Sequence, residues 1–188
     1  MFRLSLSSSS SSWARFALCI LLACGGGGVV ACSEPESASA AAQGLDPKEA
    51  ELSSLPVGLD VAHNPNPVRA KVRGRSGRRY SWVYATSVRA TTSPVRIEEF
   101  GSFEWQGGRW VFRTKTGKPF TAADFGDWYQ CPGQMLPLEQ TFTDPTNWSG
   151  ADELRDGQKT RWYFIGVDPE GRRVKGEAVV ELDADLAD

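Results

Sequence analysis

"YSWVYATSVRA", residues 80–90, is the stretch whose reading decides the fold. Tyr80, Trp82, Tyr84, Val88 and Ala90 occupy its even positions. Because successive side chains of a strand point to opposite faces, this alternation puts the apolar set on one face of a half-buried strand. "RVKGEAVVEL", residues 173–182, repeats the pattern, with Val174, Ala178, Val180 and Leu182 set against Lys175, Glu177 and Glu181. Between these two lie hairpin signals. "RIEEFGSFEW", "QGG" and "RWVF" follow one another over residues 96–112, with Gly101 the expected bulge because the apolar phase slips between Ile97 and Phe100. "TRWYFIGV", "DPEG" and "RRVKGEAVVEL" make a second hairpin, in which Pro169 and Gly171 suit a type I turn followed by a residue at positive φ.

Adding "PVRAKVR" and "LEQTFTD" brings the count to about seven strands at short spacing. That rhythm predicts an all-β domain, an antiparallel immunoglobulin-like sandwich, with a closed barrel as the alternative. One segment breaks it. "FTAADFGDWYQCPG", residues 120–133, opens with Thr121 and Asp124 in capping-box spacing and ends on Pro132-Gly133, which predicts one short inserted helix. Phe125, Trp128 and Tyr129 are then its sandwich-facing side chains.

The N-terminus has a different character. Arg3 and Arg15 with a serine run precede the apolar "FALCILLA", the layout of an export signal. The glycines at 25–28 interrupt the apolar run before it reaches the roughly 20 residues of a membrane span. "VVAC", ending at Cys32, and "LLAC", ending at Cys24, each resemble the lipobox of bacterial lipoproteins. That resemblance implies acylation of Cys32, with Cys24 the alternative, and anchoring to a membrane by lipid, palmitate included. Ser33 in place of aspartate after Cys32 points, within that class, to the outer membrane, facing the periplasm or exposed at the surface.

The expected organisation is a signal peptide over 1–31, a tether over 32–54, a sandwich domain over 55–184 and an acidic tail over 185–188. The tether is rich in Ser, Ala, Glu and Pro and lacks aromatics, a composition that cannot bury enough surface to order itself, although a short helix around Pro47–Leu52 is compatible with it. All 17 aromatic residues beyond the signal fall between Tyr80 and Phe164, which marks the core. With Cys19, Cys24 and Cys32 in the export segment, Cys131 is the one thiol of the domain, and no intradomain disulfide is possible.

Charge is unevenly spread. Residues 68–118 carry 12 basic and 3 acidic side chains, a net of +9, whereas 33–67 carry −5 and 119–188 carry −8. Arg69, Lys71, Arg73 and Arg75 alternate along one expected strand face and are candidates for binding an anionic envelope partner. An exported, lipid-anchored chain is not expected to meet nucleic acid. Trp148, in "NWSG", is read as a loop residue and the candidate exposed aromatic for carbohydrate.

Motifs for chemistry are sparse. "DFG" at 124–126 lacks every other kinase element, "GRSGR" at 74–78 misses the nucleophile elbow, and the chain has a single histidine. The expectation is a non-catalytic binding or accessory module without a cofactor, whose partner is an envelope protein or polymer. Cys131, Met135 and His63 are the residues from which a Cu(I) site could be assembled, the alternative function, since soft sulfur ligands suit that ion. The competing reading makes Cys131 a buried structural thiol.

Overall fold

The computed structural model describes residues 46–72 and 75–187. Cys24, Cys32 and Arg73 lie outside the described residues. Helix α1 (Pro47–Ser54) comes first, then β1 (Leu59–Asn64), β2 (Val68–Val72), β3 (Tyr80–Ala90), β4 (Val95–Gln106), β5 (Arg109–Phe112) and β6 (Phe120–Thr121). Helix α2 (Ala122–Tyr129) follows, then β7 (Met135–Leu136), β8 (Thr141–Ala151), β9 (Gln158–Val167) and β10 (Arg173–Leu186).

The 80–90 stretch forms β3, and Trp82, Tyr84, Val88 and Ala90 are buried as the alternation requires. Strand β8 pairs antiparallel along β3, and β1 and β2 also pair with it, β1 against Ala85–Ala90 and β2 against Tyr80–Ser81. In the second layer β9 lies between β10 and β4. The short strands β5, β6 and β7 pair with successive stretches of β4. Strand β2 joins the layers, because it is antiparallel to β3 and parallel to β10. The sheet is therefore mixed rather than purely antiparallel. Alternation reports which face a residue occupies, not which strand lies beside it, so a partner more than a hundred residues away was not legible in "PVRAKVR". Between β1 and β2, the Asn66 amide stands in for strand pairing: its Nδ2 donates to Val179 O and its Oδ1 accepts from Glu181 N, both at 2.9 Å.

The main core lies between the layers. Trp82, Tyr84 and Val88 of β3 cluster with Ile97 and Phe100 of β4, Trp162 and Phe164 of β9, and Val180 of β10. Thr121 caps α2 with the expected reciprocal bonds to Asp124, and Gln130 ends it in the left-handed region at φ 52°. Phe125 and Tyr129 of this helix are buried against Phe100 and Phe164, whereas Trp128 stays 39% exposed with its ring edge-on to Phe100.

Both turns form as read: Gly107 and Gly108 take positive φ between β4 and β5, as does Gly171 between β9 and β10. The bulge does not fall at Gly101. The register of β4 against β9 shifts between Ile97 and Glu99, so Glu98 is the extra residue. Gly101 is glycine for another reason: a Cβ there would come within 2.9 Å of the Tyr163 ring.

Strand β9 is apolar on both faces because both are covered. Tyr163 and Ile165 join Phe103 and Leu52 in a second cluster, with Leu55, Trp110 and Phe112 packed around it. Leu52 belongs to α1, which therefore docks on the domain rather than extending the tether. The docking is ionic as well as apolar. Lys48 pairs with Glu99 at 2.8 Å, Glu49 with Arg161 at 3.0 Å and Glu51 with Arg173 at 2.8 Å. At the other end β10 continues through Asp185 to Leu186, and Ala187 N donates to Ala70 O, so most of the expected acidic tail is strand or pinned to β2.

Candidate binding cleft

The two layers are joined on one side by β2 and β10. On the other side, α2 packs on both β4 and β8, and farther along these strands the described residues leave a gap. A cleft of about 650 Å³ opens there. Trp82, Ser149, Thr160 and Leu182 line its deep part, Glu104, Trp105, Gln106 and Arg113 one side, and the segment from Gly150 to Lys159 the other.

Two hydroxyls of the lining, Ser149 and Thr160, end a hydrogen-bonded chain that starts in the core. Trp162 Nε1, which can only donate, bonds Tyr84 Oη at 2.8 Å. Tyr84 Oη shares a hydrogen bond with Ser149 Oγ at 2.9 Å, and Ser149 Oγ another with Thr160 Oγ1 at 3.1 Å. Burial pushes the Tyr84 phenol up to about 12, so it stays protonated and neutral.

Four cations, Arg78, Arg113, Arg155 and Lys159, face four carboxylates, Glu104, Asp152, Glu153 and Asp156, so the lining is neutral overall. Arg78 Nη1 pairs with Asp152 Oδ2 at 2.6 Å, and this bond holds the Asp152 carboxyl below its ordinary range. Arg113 pairs with Glu104 at 3.6 Å, and Arg155 with Glu153. Trp105 is 36% exposed on the rim. Lys159 Nζ lies 4.5 Å from its ring centroid and Trp110 packs edgewise on it at 5.1 Å, so its orientation is fixed from two sides.

The residues singled out in the sequence lie elsewhere. Arg69 and Lys71 are exposed on β2, but Asp183 of β10 is the ladder neighbour of Arg69. Arg75 sits in a separate 3-10 turn (Arg75–Gly77), where it donates to Thr146 O at 3.2 Å. The expected four-residue basic face is thus reduced to two described side chains on one strand. Trp148 is in β8 rather than a loop and is half-buried; a Cβ at Gly150 would be 2.9 Å from its ring. Among the described residues, Trp105 and Trp128 are the exposed tryptophans. They were overlooked because strand alternation put Trp105, and the inserted-helix reading put Trp128, on packed faces.

Cys131 is buried, donates to the Met135 carbonyl at 3.3 Å and has its thiol pushed up by burial, while the Met135 side chain is 42% exposed. His63 faces different neighbours. Its Nε2 meets Ala178 O at 3.3 Å, its Nδ1 meets Thr86 Oγ1 at 3.0 Å, and its ring stands edge-on to Tyr84. With Nε2 carrying the proton, Nδ1 accepts from Thr86, whose oxygen accepts in turn from Asn147 Nδ2. Burial lowers the imidazole to about 4. The trio for Cu(I) is not assembled, and among the described residues no group of three His, Cys, Asp or Glu side chains has the geometry to hold a metal. The adjacent carboxylates of Glu98 and Glu99 are each bound by a cation, Arg173 and Lys48 respectively.

Similarity to known proteins is slight. No protein-family model and no curated protein matches the chain. A crystal structure of a Bordetella pertussis protein assigned as ApaA is 14% identical, covers 68% of this chain and 96% of its own, and superposes with a TM-score of 0.40. Among the described residues no helix is long and apolar enough to cross a membrane.

Proposed function

We propose that this chain is a lipid-anchored protein of the outer membrane, acylated at Cys32 or, alternatively, Cys24. Its domain is an immunoglobulin-like sandwich acting as a non-catalytic binding module, and its end cleft takes an uncharged envelope glycan. The observation that carries the ligand class is the cancellation of charge in the cleft. A polyanion would meet four carboxylates as well as four cations, and to reach any of the three arginines it would have to displace Asp152, Glu104 or Glu153, exchanging one ion pair for another with little net gain. A sugar hydroxyl, by contrast, donates to the carboxylate and accepts from the guanidinium of the same pair, leaving both in place. Gln106, Gln158, Ser149 and Thr160 add neutral partners, and Trp105 supplies an apolar surface of fixed orientation for sugar C–H groups. No histidine or cysteine is among the lining residues, which favours binding over nucleophilic chemistry.

Arg69 and Lys71 support a second, separate contact with an anionic partner. Both are exposed, and neither enters an ion pair among the described residues.

Calorimetric titration of the full chain in a non-sugar detergent with chitopentaose, cellopentaose and maltopentaose tests the glycan reading. At least one should bind, and Trp105→Ala should weaken it about tenfold or more, in the range of a lost aromatic anchor, while Trp128→Ala leaves it unchanged. Binding that is insensitive to Trp105 refutes the cleft assignment, and no binding of any neutral oligosaccharide refutes the ligand class.

A further inference from the structure

Helix α1 reaches the cleft through a short line of contacts. Glu49 Oε1 of α1 pairs with Arg161 Nη2 of β9 at 3.0 Å, and both side chains are largely buried, at 15% and 16% exposure. The Arg161 guanidinium lies 4.7 Å from the ring centroid of Trp110 and 4.7 Å from that of Phe103. Trp110 packs edgewise against Trp105 at 5.1 Å, and Lys159 lies over both indoles, 4.5 Å from Trp105 and 5.7 Å from Trp110. The Trp105 wall is therefore held by a residue whose charge is shared between Glu49 of α1 and Glu177 of β10, whose carboxylate lies 3.5 Å from Arg161 Nε.

The helix holds its place only by docking. Eight residues are too few for a helix to persist alone in water. Its attachment rests on one fully buried side chain, Leu52, with Leu55 at its C-cap packed beside it, and on the ion pairs of Lys48, Glu49 and Glu51 to Glu99, Arg161 and Arg173, while the chain just beyond it bonds Lys175 through Pro56 O and Gly58 N. Beneath it lies the cluster of Phe103, Tyr163 and Ile165, with Trp110 and Phe112 packed against it. If α1 leaves, the β4–β5 hairpin loses the packing of Leu52, and Arg161 loses its Glu49 partner, in a single event.

We propose that α1 is a latch that sets the tryptophan wall of the cleft, so that undocking the helix loosens the site. The functional meaning of this coupling rests on the cleft being the binding site, but its geometry does not. A displacement carries between two sites only through an element that has two arrangements, and here that element is α1, docked or released.

Hydrogen exchange of the full chain, followed by mass spectrometry without any ligand, separates the two ideas. Leu52→Ala and, as the milder change, Glu49→Ala should speed exchange in α1. Both should also speed exchange in the hairpin of residues 103–112, by roughly 2- to 30-fold, while the centre of β3 keeps its protection. Arg161→Lys keeps the charge for Glu49 but removes the planar group over Trp110, so it should loosen the hairpin more than α1. Hairpin exchange that stays at the wild-type rate while α1 opens overturns the latch, as does an Arg161→Lys protein with an unaltered hairpin. Because no oligosaccharide is involved, either outcome leaves the glycan reading to its own test.

Discussion

His63 is the only histidine of the chain, which turns its environment into a clean prediction about acid stability. Burial is the main reason its imidazole is lowered from 6.5 to about 4, with the contact to Ala178 O opposing it weakly. The unfolded chain therefore takes the proton first. Stability is complete above about pH 6.5, falls as the pH drops through the interval down to about 4, and levels off below it. A shift of this size corresponds to about 3 kcal/mol when fully expressed, and to about 2 kcal/mol between pH 7 and pH 5.

Other displaced groups titrate outside that window. Glu51, Asp152 and Asp168 are lowered from ordinary carboxylate values, so their contributions are lost at more acidic pH, while Tyr84 and Cys131 are raised. Urea denaturation at pH 7 and pH 5 should show the loss of about 2 kcal/mol in the wild type, and most of it should vanish in His63→Gln, whatever that variant's absolute stability. Nuclear magnetic resonance of the lone imidazole should place its titration near pH 4. Titration near pH 6.5, or an equal pH slope in both proteins, refutes the reading of His63 as a buried neutral hydrogen-bonding residue.

Two further outcomes follow from the packing and from the export segment. Phe125 is fully buried, stacked on Tyr129 at 4.4 Å and edge-on to Phe100, so Phe125→Ala should cost about 3–5 kcal/mol in urea denaturation; a loss below about 1 kcal/mol contradicts the role of α2 as the closure of the core. Replacing both Cys24 and Cys32 by alanine should move the protein from the membrane to the soluble fraction, and its retention in membranes contradicts the lipid anchor.

Local rules made much of the fold legible. The alternation of Tyr80–Ala90, the Gly107-Gly108 and Asp168–Gly171 turns, and the Thr121/Asp124 box each report a backbone conformation set by neighbours in sequence, and each forms as read. What depended on distant partners was not legible. The parallel contact of β2 with β10, the docking of α1 on β9 and the displacement of the bulge from Gly101 to Glu98 are decided by tertiary packing, and their sequence signal is ambiguous. The cleft was hidden for the same reason. "EWQGGRW" reads as a turn, the charged run from Asp152 to Lys159 carries no strand or helix pattern of its own, and only the pairing of β4 with β9 and of β8 with β3 brings them to one end of the domain. Their shared richness in charge and amide groups was the one available clue. The basic run drew attention instead, although part of it lies beside the acidic end of β10.

The most direct test of the cleft as the binding surface is a hydrogen-exchange footprint of the full chain with and without a saturating neutral oligosaccharide from the calorimetric set. Protection confined to residues 104–113 and 149–160 is the predicted result. Protection centred on β2, or on α2 around Trp128, contradicts it.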